Sequence, residues 1–180
     1  MDAPANHETI TLAGGCFWCL EAVYELVDGV LAVESGYSNG QVENPSYEQV
    51  CSGRTGHAEV VRVVFDPARI ALREILEIFF TIHDPTTLNR QGNDVGTQYR
   101  SGIYVHAPAQ EAVARAVLAE ANAAHGGRVV TELEPVRNYW RAEDYHQHYF
   151  ERNPGEGYCA FVVAPKVEKF RRTFKARVRG

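Results

Sequence analysis

The chain has 180 residues, 45% hydrophobic and 23% charged, with a formal net charge of −5, four cysteines and seven histidines. This length and composition exclude a disordered chain and suit one domain with a sizeable core. From Lys166 onward the tail carries seven Lys or Arg against one Glu. The first 165 residues therefore hold about −11, a balance unsuited to nucleic acid as the main partner.

Residues 1–8 read as a short flexible N-terminus, and 9–180 as a single domain. Thr9 to Ala13 alternates as a strand and is broken by Gly14-Gly15. Leu20, Val23, Tyr24 and Val27 recur at helical spacing, with Gly29 where a C-cap belongs. Val30 to Tyr37 reads as a strand. Residues 38–57 form a long loop with at most one helical turn. Ala58 to Phe65 is the clearest strand, followed by a helix whose apolar face runs from Leu72 to His83. A polar loop spans Asp84 to Tyr99. Ser101 to Val105 is a strand, Pro108 to about Ala124 a helix, and Arg128 to Leu133 a further strand. The C-terminal segment beyond Pro135 reads as aromatic and irregular, with a short helix near 142–150, and the basic tail as a solvated terminal helix. The opening order β-α-β-β-α-β predicts a ferredoxin-like split β-α-β sandwich of the α+β class, with added helices. Its first and third strands lie side by side at the centre, which brings Cys16 close to Glu59 if they run antiparallel.

Cys16 follows the Gly-Gly turn and opens a helix. There the backbone N–H groups and the macrodipole should lower its thiol pKa. Phe17 and Trp18 beside it can wall an apolar pocket. Cys19 completes a Cys-x-x-Cys, which alone reads as a redox pair or half a zinc site, the other half drawn from Cys51, Cys159, His146 and His148. Glu59 shares a strand face with Val61, Val63 and Phe65, so its carboxyl should be desolvated, with a raised pKa suited to an acid. Tyr47, Asp94 and Tyr99 are hydrogen-bonding groups in the two long loops. No cofactor motif and no lipidation motif is present. No apolar run approaches the ~20 residues of a membrane span, and the start lacks a secretion signal, so the expected location is cytoplasmic.

The segment Gly14-Gly15-Cys16-Phe17-Trp18 resembles the signature of the A-type peptide methionine sulfoxide reductases. So do Ser35-Gly36-Tyr37, Asn44-Pro45-Ser46-Tyr47, Gly56-His57-Ala58-Glu59-Val60-Val61, the loop from His83 to Ser101, 142–147, Asn153-Pro154 and Gly157-Tyr158-Cys159. The likeness runs from about Thr9 to Phe170. It implies a ferredoxin-like fold and reduction of the S epimer of methionine sulfoxide, free or in proteins, for repair of oxidised protein. By this resemblance Cys16 is the nucleophile, Glu59 the proton donor, and Phe17 and Trp18 the wall for the substrate methyl group. Tyr47 and Tyr99 match hydroxyls that bind the sulfoxide oxygen, and Asp94 a carboxylate that helps through water. Cys159 matches the resolving cysteine, with Cys19 as an alternative, and Cys51 a structural position. Thioredoxin is the implied reductant, no metal or cofactor is needed, and a monomer is expected. Two other readings stay open: a general Cys16–Cys19 disulfide oxidoreductase, and a small zinc-stabilised or interaction domain.

Overall fold

The computed structural model describes residues 6–180; the first five residues of the expected flexible N-terminus lie outside it. The elements are β1 (Glu8–Gly14), α1 (Phe17–Tyr24), β2 (Val30–Ser38), α2 (Tyr47–Cys51), β3 (Ala58–Phe65), α3 (Leu72–Ile82), β4 (Arg90–Gln91) and β5 (Asp94–Val95). After them come β6 (Ser101–Val105), α4 (Pro108–Ala124), β7 (Glu132–Pro135), β8 (Trp140–Arg141), α5 (Tyr149–Arg152) and α6 (Ala164–Thr173). The main sheet runs β7-β6-β1-β3-β2-β8, antiparallel except for the β6–β7 pair. Its inner four strands have the order that the split β-α-β pattern predicts, with β1 and β3 paired at the centre in antiparallel register, Leu12 opposite Val61.

One face of the sheet carries the main core. Ile10, Leu12, Val61, Val63 and Phe65 point into it and meet α1, α3 and α6. α3 buries Leu72, Ile75, Leu76, Phe79 and Ile82, the stripe that its spacing predicts, and Ile78 beside them. Burying a side chain of this kind contributes about 1.5–3 kcal/mol. The other face holds a smaller cluster of Ala13, Ala58, Val60 and Tyr104 under Val136 and Tyr139. The basic tail does form a terminal helix, α6, yet it is not wholly solvated: Val167 and Phe170 are buried.

Four local expectations shift, each for a tertiary reason. α1 ends at Tyr24, so Gly29 does not cap it. Gly29 sits at φ +100 in the turn into β2, packed so closely on Ile70 that a Cβ would lie 2.7 Å from it. The strand expected at 128–133 begins only at Glu132, because Val129 and Val130 donate sideways, to Asn122 Oδ1 and the Pro85 carbonyl. The polar loop 84–99 contains a small β4–β5 hairpin, whose two-residue turn opens with Gly92 at φ +60, as a II′ turn requires. The helix expected near 142–150 is divided. A 3₁₀ turn covers Asp144–His146, His148 takes the left-handed conformation at φ 56, and α5 starts after it.

Candidate active site

The central strand pair brings the β1–α1 junction to the start of β3. Gly15 makes that junction at φ +94, against the Gln91 side chain, where a Cβ would fall 2.6 Å from Cγ. A side chain is therefore excluded both by conformation and by space. Cys16 takes the N-cap position of α1 with extended backbone angles. Phe17 N–H, the next group on the helix start, donates to Glu59 Oε1 at 3.2 Å.

Glu59 is 1% exposed. Its parity on β3 turns it inward, and Oε2 makes no hydrogen bond of ordinary geometry among the described residues, although the Gln98 side chain lies close. Burial pushes this carboxyl up to about 8. The Phe17 N–H opposes the shift, while the Asp94 charge adds to it. At neutral pH Glu59 is therefore an acid holding its proton.

The Cys16 thiol departs from expectation. Its pKa is raised, not lowered. Burial is the main cause, followed by the negative charges of Glu59 and Cys19. The helix start does act in the expected sense, through the Trp18 N–H, and so does the Tyr158 hydroxyl, but desolvation outweighs both. A neutral Glu59 removes one of the two repulsions.

Aromatic side chains surround this pair. Phe17 is fully buried against Tyr37 and His146, with ring centroids 5.7 and 5.0 Å away. Trp18 is half-buried; its ring stacks on Tyr149 at 3.7 Å and 6°, and Tyr158 meets it edge-on at 5.7 Å. Trp18 Nε1–H donates to His146 Nδ1 at 3.1 Å. That assigns the remaining proton of the neutral imidazole to Nε2, which is buried and has no partner among the described residues.

Tyr47 opens α2 beside His146, centroids 4.5 Å apart, with its N–H held by Glu143 Oε2 at 2.9 Å. Glu143 also accepts from the Tyr37 hydroxyl at 2.7 Å. Tyr99 ends the 3₁₀ turn Thr97–Tyr99. Burial and then the Glu59 charge push both the Tyr47 and Tyr99 hydroxyls up, so both remain donors at neutral pH. Asp94, on β5, accepts from Tyr158 at 2.5 Å.

All four cysteines are free thiols. Cys19 is buried one turn after Cys16; burial raises its thiol to about 11, against the opposing charge of Lys166. Cys159, the expected resolving cysteine, is fully buried in a π-helical turn, Cys159–Val163, leading into α6. Burial raises it too, to about 11, with Glu156 adding to the shift. Cys51 is exposed at the end of α2, near the Tyr47 hydroxyl. The cysteines and histidines considered for zinc do not converge. Among the described residues the group whose ligand atoms meet is Glu21, Glu25 and His148, which contains no thiol.

Sequence reasoning missed Tyr158, Tyr149, Glu143 and the Trp18–His146 pairing. Glu143 and Tyr158 lie in the stretches 142–147 and Gly157-Tyr158-Cys159 that carry the resemblance, and Tyr149 in the aromatic segment after Pro135, but none of these carries a hint of long-range partners.

Thiol redox chemistry is what this arrangement supports: a cysteine thiol beside a buried acid, among rings and hydroxyl donors, with further thiols on neighbouring turns. The family model for peptide methionine sulfoxide reductase matches residues 8–178. A peptide methionine sulfoxide reductase MsrA from Polynucleobacter asymbioticus is 55% identical over 173 residues, 95% of this chain and 91% of the relative. Among solved structures, Mxr1 from Saccharomyces cerevisiae in reduced form matches with a TM-score of 0.83 and 41% identity, covering 88% of this chain and 92% of Mxr1. Mxr1 in complex with Trx2 matches at 0.60 and 31%, covering 83% and 88%. The chain belongs to the peptide methionine sulfoxide reductase family and is an oxidoreductase.

Proposed function

We infer that the protein reduces the S epimer of methionine sulfoxide, in proteins and free, by thiol chemistry centred on Cys16. The observation that carries this reading is the buried Glu59 carboxyl. It holds its proton at neutral pH, is tied to the residue after Cys16, and among the described residues keeps one oxygen without a hydrogen bond of ordinary geometry.

A sulfoxide oxygen bears partial negative charge. Donation from Glu59, Tyr47 and Tyr99 polarises the S–O bond and makes sulfur attackable, a contribution typically of about 2.7–4 kcal/mol per donor. The methyl group lies against Phe17 and Trp18, and Asp94 assists through water. As Cys16 sulfur bonds to the sulfoxide sulfur, Glu59 protonates the oxygen. The thiol proton passes to the carboxylate that this leaves on Glu59, so the Cys16 sulfur becomes nucleophilic only inside the occupied site. Oxygen transfer leaves methionine and a Cys16 sulfenic acid. Cys159 attacks the sulfenic sulfur and water departs, forming the Cys16–Cys159 disulfide; Cys19, one turn from Cys16, is the alternative resolving thiol. An external dithiol regenerates both thiols by exchange. Thioredoxin is the reductant this reading assigns, supported by the match to Mxr1 bound to Trx2. The reading takes 9–180 as a single catalytic domain and the chain as a monomer in the cytoplasm. Among the described residues no helix is long and apolar enough to cross a membrane.

The test is turnover of each epimer of a methionine sulfoxide peptide, with dithiothreitol, by wild type and Cys16→Ser. Reduction of the S epimer that disappears with Cys16 is the expected result. Reduction of neither epimer by folded, reduced protein, or of the R epimer alone, would overturn the reading.

A further inference from the structure

We propose that Glu21, which the chemistry above does not use, is a positioning residue for substrate recognition: it holds the turn at His148 that sets Tyr149 against the face of Trp18. The inference rests on the reading of Trp18 as part of the methyl-group wall.

Glu21 lies on α1 and is 1% exposed. A buried carboxyl costs several kcal/mol unless it is satisfied, and an apolar side chain of similar volume would fill the space more cheaply. Its contribution must therefore lie in what it binds. Glu21 Oε2 accepts the backbone N–H of His148 at 2.8 Å, across 127 residues of sequence, and the Tyr149 N–H also faces the carboxyl. These two N–H groups stand at the start of α5, where the helix itself supplies no acceptor. Glu21 thus caps α5 from another element. Glu25, the C-cap residue of α1 four positions on, takes His148 Nδ1, so two carboxylates at the end of α1 grip the same residue.

The grip has a purpose that the backbone makes visible. His148 sits at φ 56 and ψ 35, a left-handed conformation that a residue with a Cβ adopts at a cost. The next residue, Tyr149, stacks on Trp18. Two residues before His148, His146 holds the Trp18 indole N–H. The left-handed turn lets one short segment hold Trp18 by both its edge and its face. Without an acceptor at position 21 the turn loses its anchor, and the Tyr149 ring its placement. The carboxyl works on substrate only through those two rings.

The test compares Glu21→Met, which fills the volume without an acceptor, with Glu21→Gln, whose amide oxygen still accepts. Both are made in a Trp140→Phe background, so that Trp18 alone reports by fluorescence, with Trp18→Leu alongside. Glu21→Met is expected to raise KM for a methionine sulfoxide peptide about tenfold, within the ~100-fold that a misplacement of ~1 Å can cost, with kcat little changed and Trp18 emission altered. Glu21→Gln should stay near wild type. Adding His148→Gly to Glu21→Met should restore KM in part, because glycine holds positive φ unaided. That rescue separates anchoring of the turn from a general loss of packing. If Trp18→Leu raises KM while Glu21→Met leaves KM and Trp18 emission unchanged, the positioning role is overturned alone. A loss in Glu21→Met that Glu21→Gln shares, or that His148→Gly does not relieve, also overturns it. If Trp18→Leu leaves KM unchanged, the methyl-wall reading fails and the positioning role with it.

Discussion

The two thiols at the ends of the proposed reaction sit in opposite kinds of structure. Cys16 stands at a strand–helix junction in the middle of the sheet. A glycine at φ +94, the Gln91 side chain and the Glu59–Phe17 hydrogen bond fix it from three sides. Cys159 stands in a π-helical turn behind a stretch containing Pro154, Gly155 and Gly157, with its sulfur packed in the core. Nucleophilic attack gains from groups that are placed before substrate arrives. Disulfide formation gains from a thiol that can travel, and a π-helical turn is a frequent compromise where a helix must open at a functional position. The contrast suggests that this protein keeps rigidity for the first step and places its adaptable backbone at the second.

The largest expected effect is loss of all sulfoxide reduction in Cys16→Ser, measured as methionine released. Glu59→Gln comes next: kcat/KM should fall at least ~100-fold, the usual scale for a positioned acid. The acid form of Glu59 is the competent one, so wild-type activity should decline as pH rises through about 8, and the variant should lose that limb. Stability carries the same sign. Glu59 binds its proton more tightly folded than unfolded, so its contribution to stability falls as pH rises from about 5 to 8. The melting temperature of wild type should drop relative to Glu59→Gln across that window. Cys159→Ser should spare the first turnover and abolish thioredoxin-dependent recycling, which steady-state assays with and without thioredoxin will separate. Gly15→Ala should destabilise the fold by about 1–3 kcal/mol in denaturant melts, since it strains the backbone and meets Gln91. Ser46→Ala, which removes the capping-box oxygen of α2, should cost about 1 kcal/mol or less, with a slight rise in KM through Tyr47.

The same contrast governs what could be read in advance from residues alone. Glu59 was readable because strand parity is local: counting by twos from Phe65 turns it inward. The central β1–β3 pairing followed from element order. The capping box Ser46–Gln49 and the II′ turn at Gly92 are also written in short spacing and were available to a closer reading. The sense of the Cys16 shift was not, because burial is a property of the assembled core and here it outweighs the helix start. The Tyr158–Asp94 hydrogen bond was invisible for a similar reason, since its partners lie 64 residues apart. The division of the helix expected near 142–150 depends on Gln147, whose side chain bonds Ser35 and Ala142 backbone groups, and on Glu21 beneath His148. No local pattern carries those contacts.

The most direct test of the account is a single turnover without reductant, followed by mass spectrometry of the disulfide. Reduced wild type, given excess S-epimer peptide, should release about one methionine per chain, pass through the sulfenic acid and end with Cys16 bonded to Cys159. A product in which Cys16 is joined to Cys19 while Cys159 stays a free thiol, or an unchanged Cys16, would contradict the division between a fixed nucleophile and a travelling resolver.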